Sequence, residues 1–175
     1  MVLKRIGLIA LPAWSLFFAA QCGTARAQQI AIRDQLVGTW ELVSVTSEAD
    51  DGKKAEPFGP NPKGIIMFSN GGHFSLFQSK AEIPRIAAND RAKATPEEAL
   101  AIVASAIAYY GTYTVSEADK TILVKVNVST FANVAGGPEQ KRIITSLTPD
   151  ELKFTNPRTP AGVTLQTAWK RSTAR

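Results

Sequence analysis

From Gly38 to Arg171 the apolar residues recur mainly at every second position, in short runs that end on Gly, Pro, Asn, Asp or Ser. Such alternation buries one face of a strand and wets the other, so the chain is built from half-buried strands. The stretch Thr121 to Ser129 shows it most cleanly, with Ile122, Val124, Val126 and Val128 on one face and Lys125 and Asn127 on the other. Eight strands are predicted, over 37–46, 64–69, 73–78, 109–115, 121–129, 139–147, 151–156 and 162–171. Asn70-Gly71-Gly72 supplies the positive φ angles of a tight hairpin between the second and third, and Thr148-Pro149-Asp150 turns the sixth into the seventh.

The alternation lapses only between about Ser79 and Ala108. There Thr95-Pro96-Glu97-Glu98 reads as a helix start, with Thr95 as N-cap, Pro96 at the first helical position and Glu98 completing a capping box. Helically spaced Leu100, Val103 and Ile107 carry the pattern to Ala108, and the thin polar face predicts a largely covered helix. The fold class is therefore all-β: an eight-stranded antiparallel up-and-down barrel with one helix inserted between strands three and four. Closure removes the sheet edges, and a two-sheet sandwich is the alternative.

Before this domain, Lys4 and Arg5 precede an apolar run from Ile6 to Ala20 and a small-residue triplet, Ala25-Arg26-Ala27. That order predicts a secretory signal over 1–27, cleaved after Ala27, with the domain occupying 28–175 and a periplasmic or secreted destination. The run is too short, and too interrupted by Pro12, for a stable membrane span. Cys22, the single cysteine, excludes an internal disulfide; lipidation at Cys22 is the rival, disfavoured by Gln21 before it. The formal charge is +5, but Lys4, Arg5 and Arg26 lie in the signal and the remaining basic residues are dispersed, so no nucleic-acid partner is expected. No metal and no cofactor is expected either, because one histidine and one cysteine build no ligand set.

Specific segments add a resemblance. Leu36-Val37-Gly38-Thr39-Trp40-Glu41-Leu42-Val43-Ser44, the Pro57-Phe58-Gly59 loop, the Asn70-Gly71-Gly72 hairpin, the Thr95-Pro96-Glu97-Glu98 helix start, Tyr110-Gly111-Thr112-Tyr113-Thr114-Val115 and Trp169-Lys170-Arg171 together resemble the bacterial lipocalin-like domain family. The likeness covers about residues 36–171. It implies a calycin-type barrel and brings no catalytic residues. It also implies barrel closure by Trp40 beneath a basic side chain of the last strand, Arg171 or Lys170.

An eight-stranded barrel is either filled by its own side chains or holds one small ligand. The reading placed first is a cavity for a small apolar or amphipathic molecule. Strand parity puts Leu42, Met67, Phe77, Val124, Val126, Phe154 and Leu165 on its wall, with Tyr109, Tyr113 and Arg142 as orienting polar groups. Arg142 suits a carboxylate-bearing ligand if it points inward with Ile144, and is merely solvated if Ile143 and Leu147 mark the inside. The loop over 80–95, with Lys80, Arg85, Arg91 and Lys93, is long enough for a lid, and reads equally as a solvated loop. An enzyme that folds a bound substrate for cyclisation or isomerisation needs a buried acid or base. Glu41 and His73 are the only, poor, candidates, and no catalytic residue is assigned. A filled barrel acting as an interaction module needs an outer apolar patch, for which Val43 and Val45 are the residues to watch. Oligomeric state is not legible.

Overall fold

The computed structural model describes residues 30–159 and 162–173; the predicted signal segment, with Cys22, lies outside them. A short helix α1 (Ile32–Leu36) leads into β1 (Gly38–Glu48), a two-residue β2 (Lys54–Ala55), β3 (Lys63–Phe68) and β4 (His73–Ser79). Helix α2 (Pro96–Val103) follows, then β5 (Ala106–Ser116), β6 (Thr121–Ser129), β7 (Gln140–Leu147), β8 (Glu151–Asn156) and β9 (Thr164–Arg171). Each long strand pairs antiparallel with the next around the ring, and β1 pairs with β9 from Trp40↔Arg171 to Glu48↔Thr164, which closes the barrel. The closed eight-stranded barrel is the architecture expected from the alternation, and β2 is an addition that pairs with the far end of β1.

Because the strands alternate in direction, the ends sort into two classes. One end is packed solid: Leu36, Trp40, Ile122, Leu152 and Trp169 are fully buried there or nearly so, with Phe68, Phe74 and Tyr113 beside them. Trp40 donates its indole N–H to the Leu36 carbonyl at 2.9 Å, which hangs α1 across this floor. The Arg171 guanidinium lies 4.0 Å from the Trp40 ring centroid and donates to the carbonyls of Gln35, Val37 and Pro149. The expected pairing of Trp40 with a basic side chain of the last strand is therefore present, and Arg171 is the residue. Gly38 is required beside it, since its φ is +127° and an added Cβ would stand 2.9 Å from Arg171 Nη1.

Three β-bulges change which residues face inward. The β1–β9 register slips between Leu42 and Ser44, so Val43 is the extra residue: Trp40 and Leu42 point in before it, Val45 after it. Val45 is 3% exposed and Val43 50%, so the two do not form the outer pair that simple parity predicts. A second slip at Tyr110/Gly111 makes Asn127 the extra residue of β6 and turns Val128 outward, away from Val124 and Val126. A third between Ile144 and Ser146 reconciles the two apolar pairs of β7: Arg142 and Ile144 are buried, Ile143 is exposed, and Leu147 packs on the core beyond the bulge.

Helix α2 departs from expectation in length and burial. It ends at Val103, because Ala106 and Ile107 pair with Ser79 and Gln78 and extend β5. The predicted capping box is present, with Thr95 Oγ accepting from the Glu98 N–H and Glu98 accepting from the Thr95 N–H. None of its residues is buried, and Leu100 and Val103 are 70% and 71% exposed. It sits across the end of the barrel opposite the floor.

Candidate functional site

Above the aromatic floor the barrel is hollow. A cavity of about 640 Å³ occupies the half nearest α2 and is lined from β4 by Leu76 and Gln78, from β5 by Ile107 and Tyr109, and from β7 to β9 by Gln140, Arg142, Phe154, Asn156, Leu165 and Thr167. Phe58, Ile102, Val103, Phe131 and Val134 from the loops and the helix complete its mouth. The volume falls within the range of small-molecule sites, and the lining has their usual character, mostly apolar with a few polar groups.

Five of the ten residues expected to contact a ligand border this cavity: Tyr109, Arg142, Phe154, Leu165 and, at its margin, Phe77. Phe77 is nonetheless 36% exposed on the outward parity of β4, where Phe74, Leu76 and Gln78 point in. Met67 is displaced entirely. It is 42% exposed and borders a shallow outer groove with Thr39, Ser75 and Tyr110, while its neighbours Ile66 and Phe68 face the core. β3 is apolar on both faces, so alternation alone does not rank Met67 against Ile66 and Phe68, whereas on β4 Phe77 shares the outward parity of His73 and Ser75.

Leu42, Val124, Val126 and Tyr113 are buried but do not line the cavity. Tyr113 belongs to the floor: its hydroxyl donates to the Ser69 carbonyl at 2.9 Å, and its ring meets Phe68 edge-on with centroids 5.0 Å apart. Burial raises the pKa of its phenol, partly opposed by the nearby Arg33. Gln78 and Asn156 are cavity residues that the alternation does not single out, polar side chains at inward positions near strand ends.

Arg142 is the polar centre of the cavity. It is 6% exposed, donates from Nη2 to Gln140 Oε1 at 2.9 Å and from Nη1 to the Lys141 carbonyl at 3.1 Å, and forms no ion pair among the described residues. Neither proposed acid or base reaches it. Glu41 stands outside the barrel, held below its ordinary pKa by the Ser172 hydroxyl and by Lys170 3.2 Å away. His73 is exposed beside the β3–β4 hairpin, at the floor end. Among the described residues no group of three or more His, Cys, Asp or Glu is gathered as a metal site, and no helix is long and apolar enough to cross a membrane.

The loop over 80–95 is anchored through one carboxylate. Glu98 accepts from the Ala87 N–H and the Thr95 N–H, each at 2.9 Å, and these bonds hold its pKa below the ordinary value, Ala87 contributing most. Glu98 thus ties the loop over 80–95 to the first turn of α2. Arg91 of that loop borders the cavity.

The lipocalin-like domain family matches residues 37–171, which is nearly the whole described barrel. The chain belongs to the lipocalin-like domain family. Solved structures similar to this lipocalin-like chain include a bovine odorant-binding protein in complex with a selenium-containing odorant, 14% identical, with 82% of this chain and 74% of that one covered and a TM-score of 0.42. A de novo designed fluorescence-activating β-barrel is 12% identical, with coverages of 82% and 99% and a TM-score of 0.41. A redesigned β-barrel, mFAP1, bound to DFHBI, is 18% identical over 79% and 97% of the two chains, with a TM-score of 0.39. Among curated proteins none matches.

Proposed function

We propose that this lipocalin-like chain is exported and carries a small, largely apolar or amphipathic molecule in the upper half of its barrel. The observation that supports this reading is the asymmetry of the interior. One half is filled by buried Trp, Phe and Leu side chains, whereas the other keeps about 640 Å³ open beneath a short helix. A barrel that served only as a scaffold gains stability by filling that half, since each buried methylene contributes about 0.8 kcal/mol. Export rests on the order of Lys4-Arg5, the apolar run to Ala20 and Ala25-Arg26-Ala27, a signal's arrangement, and places the protein in the periplasm or outside the cell.

The test is native mass spectrometry of the exported protein purified from its own host, followed by denaturing extraction. A reproducible excess mass in the small-molecule range and an N-terminus at Gln28 are the expected results. A bare polypeptide mass, together with no thermal shift from a panel of fatty acids and aromatic compounds, overturns the carrier reading. An intact Met1 overturns the export reading.

A further inference from the structure

Two buried polar groups on the cavity wall are incompletely partnered, and they come from neighbouring strands. Arg142 uses two of the five N–H donors of a guanidinium on Gln140 and Lys141, and no carboxylate answers its charge among the described residues. Asn156 is 8% exposed, and its Oδ1 has no hydrogen-bond partner. The β7–β8 ladder pairs Ile144 with Phe154 and ends on Ile143 with Thr155, so Arg142 and Asn156 are the residues just beyond its last pair on the two neighbouring strands. Both are buried and both line the same cavity.

A buried cation without a counterion and a buried acceptor without a donor are each destabilising. Their coincidence in a mostly apolar hollow is what a site that orients a polar headgroup looks like. The guanidinium fork matches the two oxygens of a carboxylate, and one cation in a small apolar space matches one negative charge. The Asn156 Oδ1 lacks a donor, and an O–H or N–H beside the ligand's carboxylate supplies one. Gln78, buried on β4 across the barrel, and exposed Arg91 at the mouth supply further polar contact without adding negative charge.

We infer that the lipocalin-like barrel selects an amphipathic acid bearing a hydroxyl or N–H donor next to its carboxylate, with the headgroup on Arg142 and Asn156 and the apolar tail under α2. The inference rests on the carrier reading and narrows its ligand.

Displacement of the neutral dye Nile red from the mature protein by dodecanol, dodecanoate, 2-hydroxydodecanoate and 3-hydroxydodecanoate at neutral pH tests it. Dodecanoate is expected to displace at about tenfold lower concentration than dodecanol, the worth of a charge-assisted pair, and one hydroxy acid at a further several-fold lower concentration. Arg142→Met should erase the preference for acid over alcohol, each displacement being referred to that variant's own Nile red affinity, with the melting temperature unchanged or raised. Arg142→Lys should keep part of that preference, and Asn156→Leu should erase only the preference for the hydroxy acid. Equal displacement by acid and alcohol, or a preference that survives Arg142→Met, overturns the headgroup site while leaving the carrier standing. A folded wild-type protein that takes up neither the dye nor any of the four compounds overturns both readings.

Discussion

Replacing Arg171 with Met removes the guanidinium and keeps most of the stem that packs on the floor. The wild-type group contributes a cation–π contact with Trp40 at 4.0 Å, worth about 1 kcal/mol in a partly exposed setting. It also donates to three carbonyls that belong to three separate places: Gln35 at the end of α1 (2.6 Å), Val37 at the entry to β1 (3.1 Å), and Pro149 in the β7–β8 turn. At about 1 kcal/mol each, discounted from the value of buried charged bonds because the group is not fully buried, the three bonds bring the total to about 4 kcal/mol. For a domain of this size that is a fall in melting temperature of roughly 12 °C. Urea unfolding followed by tryptophan fluorescence reads the change directly, since Trp40 and Trp169 are 0% and 1% exposed. Arg171→Lys, which keeps the charge but loses the fork, should fall between the two. A loss below about 1 kcal/mol for Arg171→Met would refute the idea that one side chain staples the barrel's two ends of chain together, and would leave closure to the β1–β9 ladder alone.

Other outcomes follow from the same geometry. Gly111→Ala drives a Cβ to 1.9 Å from the Lys125 carbonyl oxygen, a backbone atom that cannot rotate away, and should cost at least about 3 kcal/mol in urea unfolding; a near-neutral result would show that the bulge relaxes. Leu100→Gln changes a residue that is 70% exposed and should shift stability by less than about 0.5 kcal/mol, whereas a larger loss would mean that α2 is covered in solution. Glu98 has a lowered folded pKa, so its tie to the 80–95 loop is present above the ordinary carboxylate value and lost as pH falls through the lowered one. The amide resonances of Ala87 and Thr95 should therefore titrate together with a midpoint below the ordinary value, and a midpoint at or above it would sink the clamp.

Much of the barrel was legible in the chain because it is local. Alternation in 121–129 marks a strand whatever it pairs with, and Thr95, Pro96 and Glu98 cap a helix through bonds within four residues. The site was less legible. Arg142 was a visible candidate, but its direction depended on a bulge at Thr145, and Asn156 carried no local signal until burial removed its access to water. Met67 lies outside because β3 has two apolar faces that alternation does not rank, and Phe77 lies outside on the parity of His73 and Ser75.

By itself, then, the sequence determined where strands, turns and the capped helix lie, since those follow from side-chain period and turn chemistry. Tertiary structure alone decided which face of each strand is the inside beyond a bulge, because the extra residue is defined only against its partner strand. It alone decided that one half of the barrel is hollow. A cavity is the volume that side chains from distant strands leave between them, and no single segment encodes it.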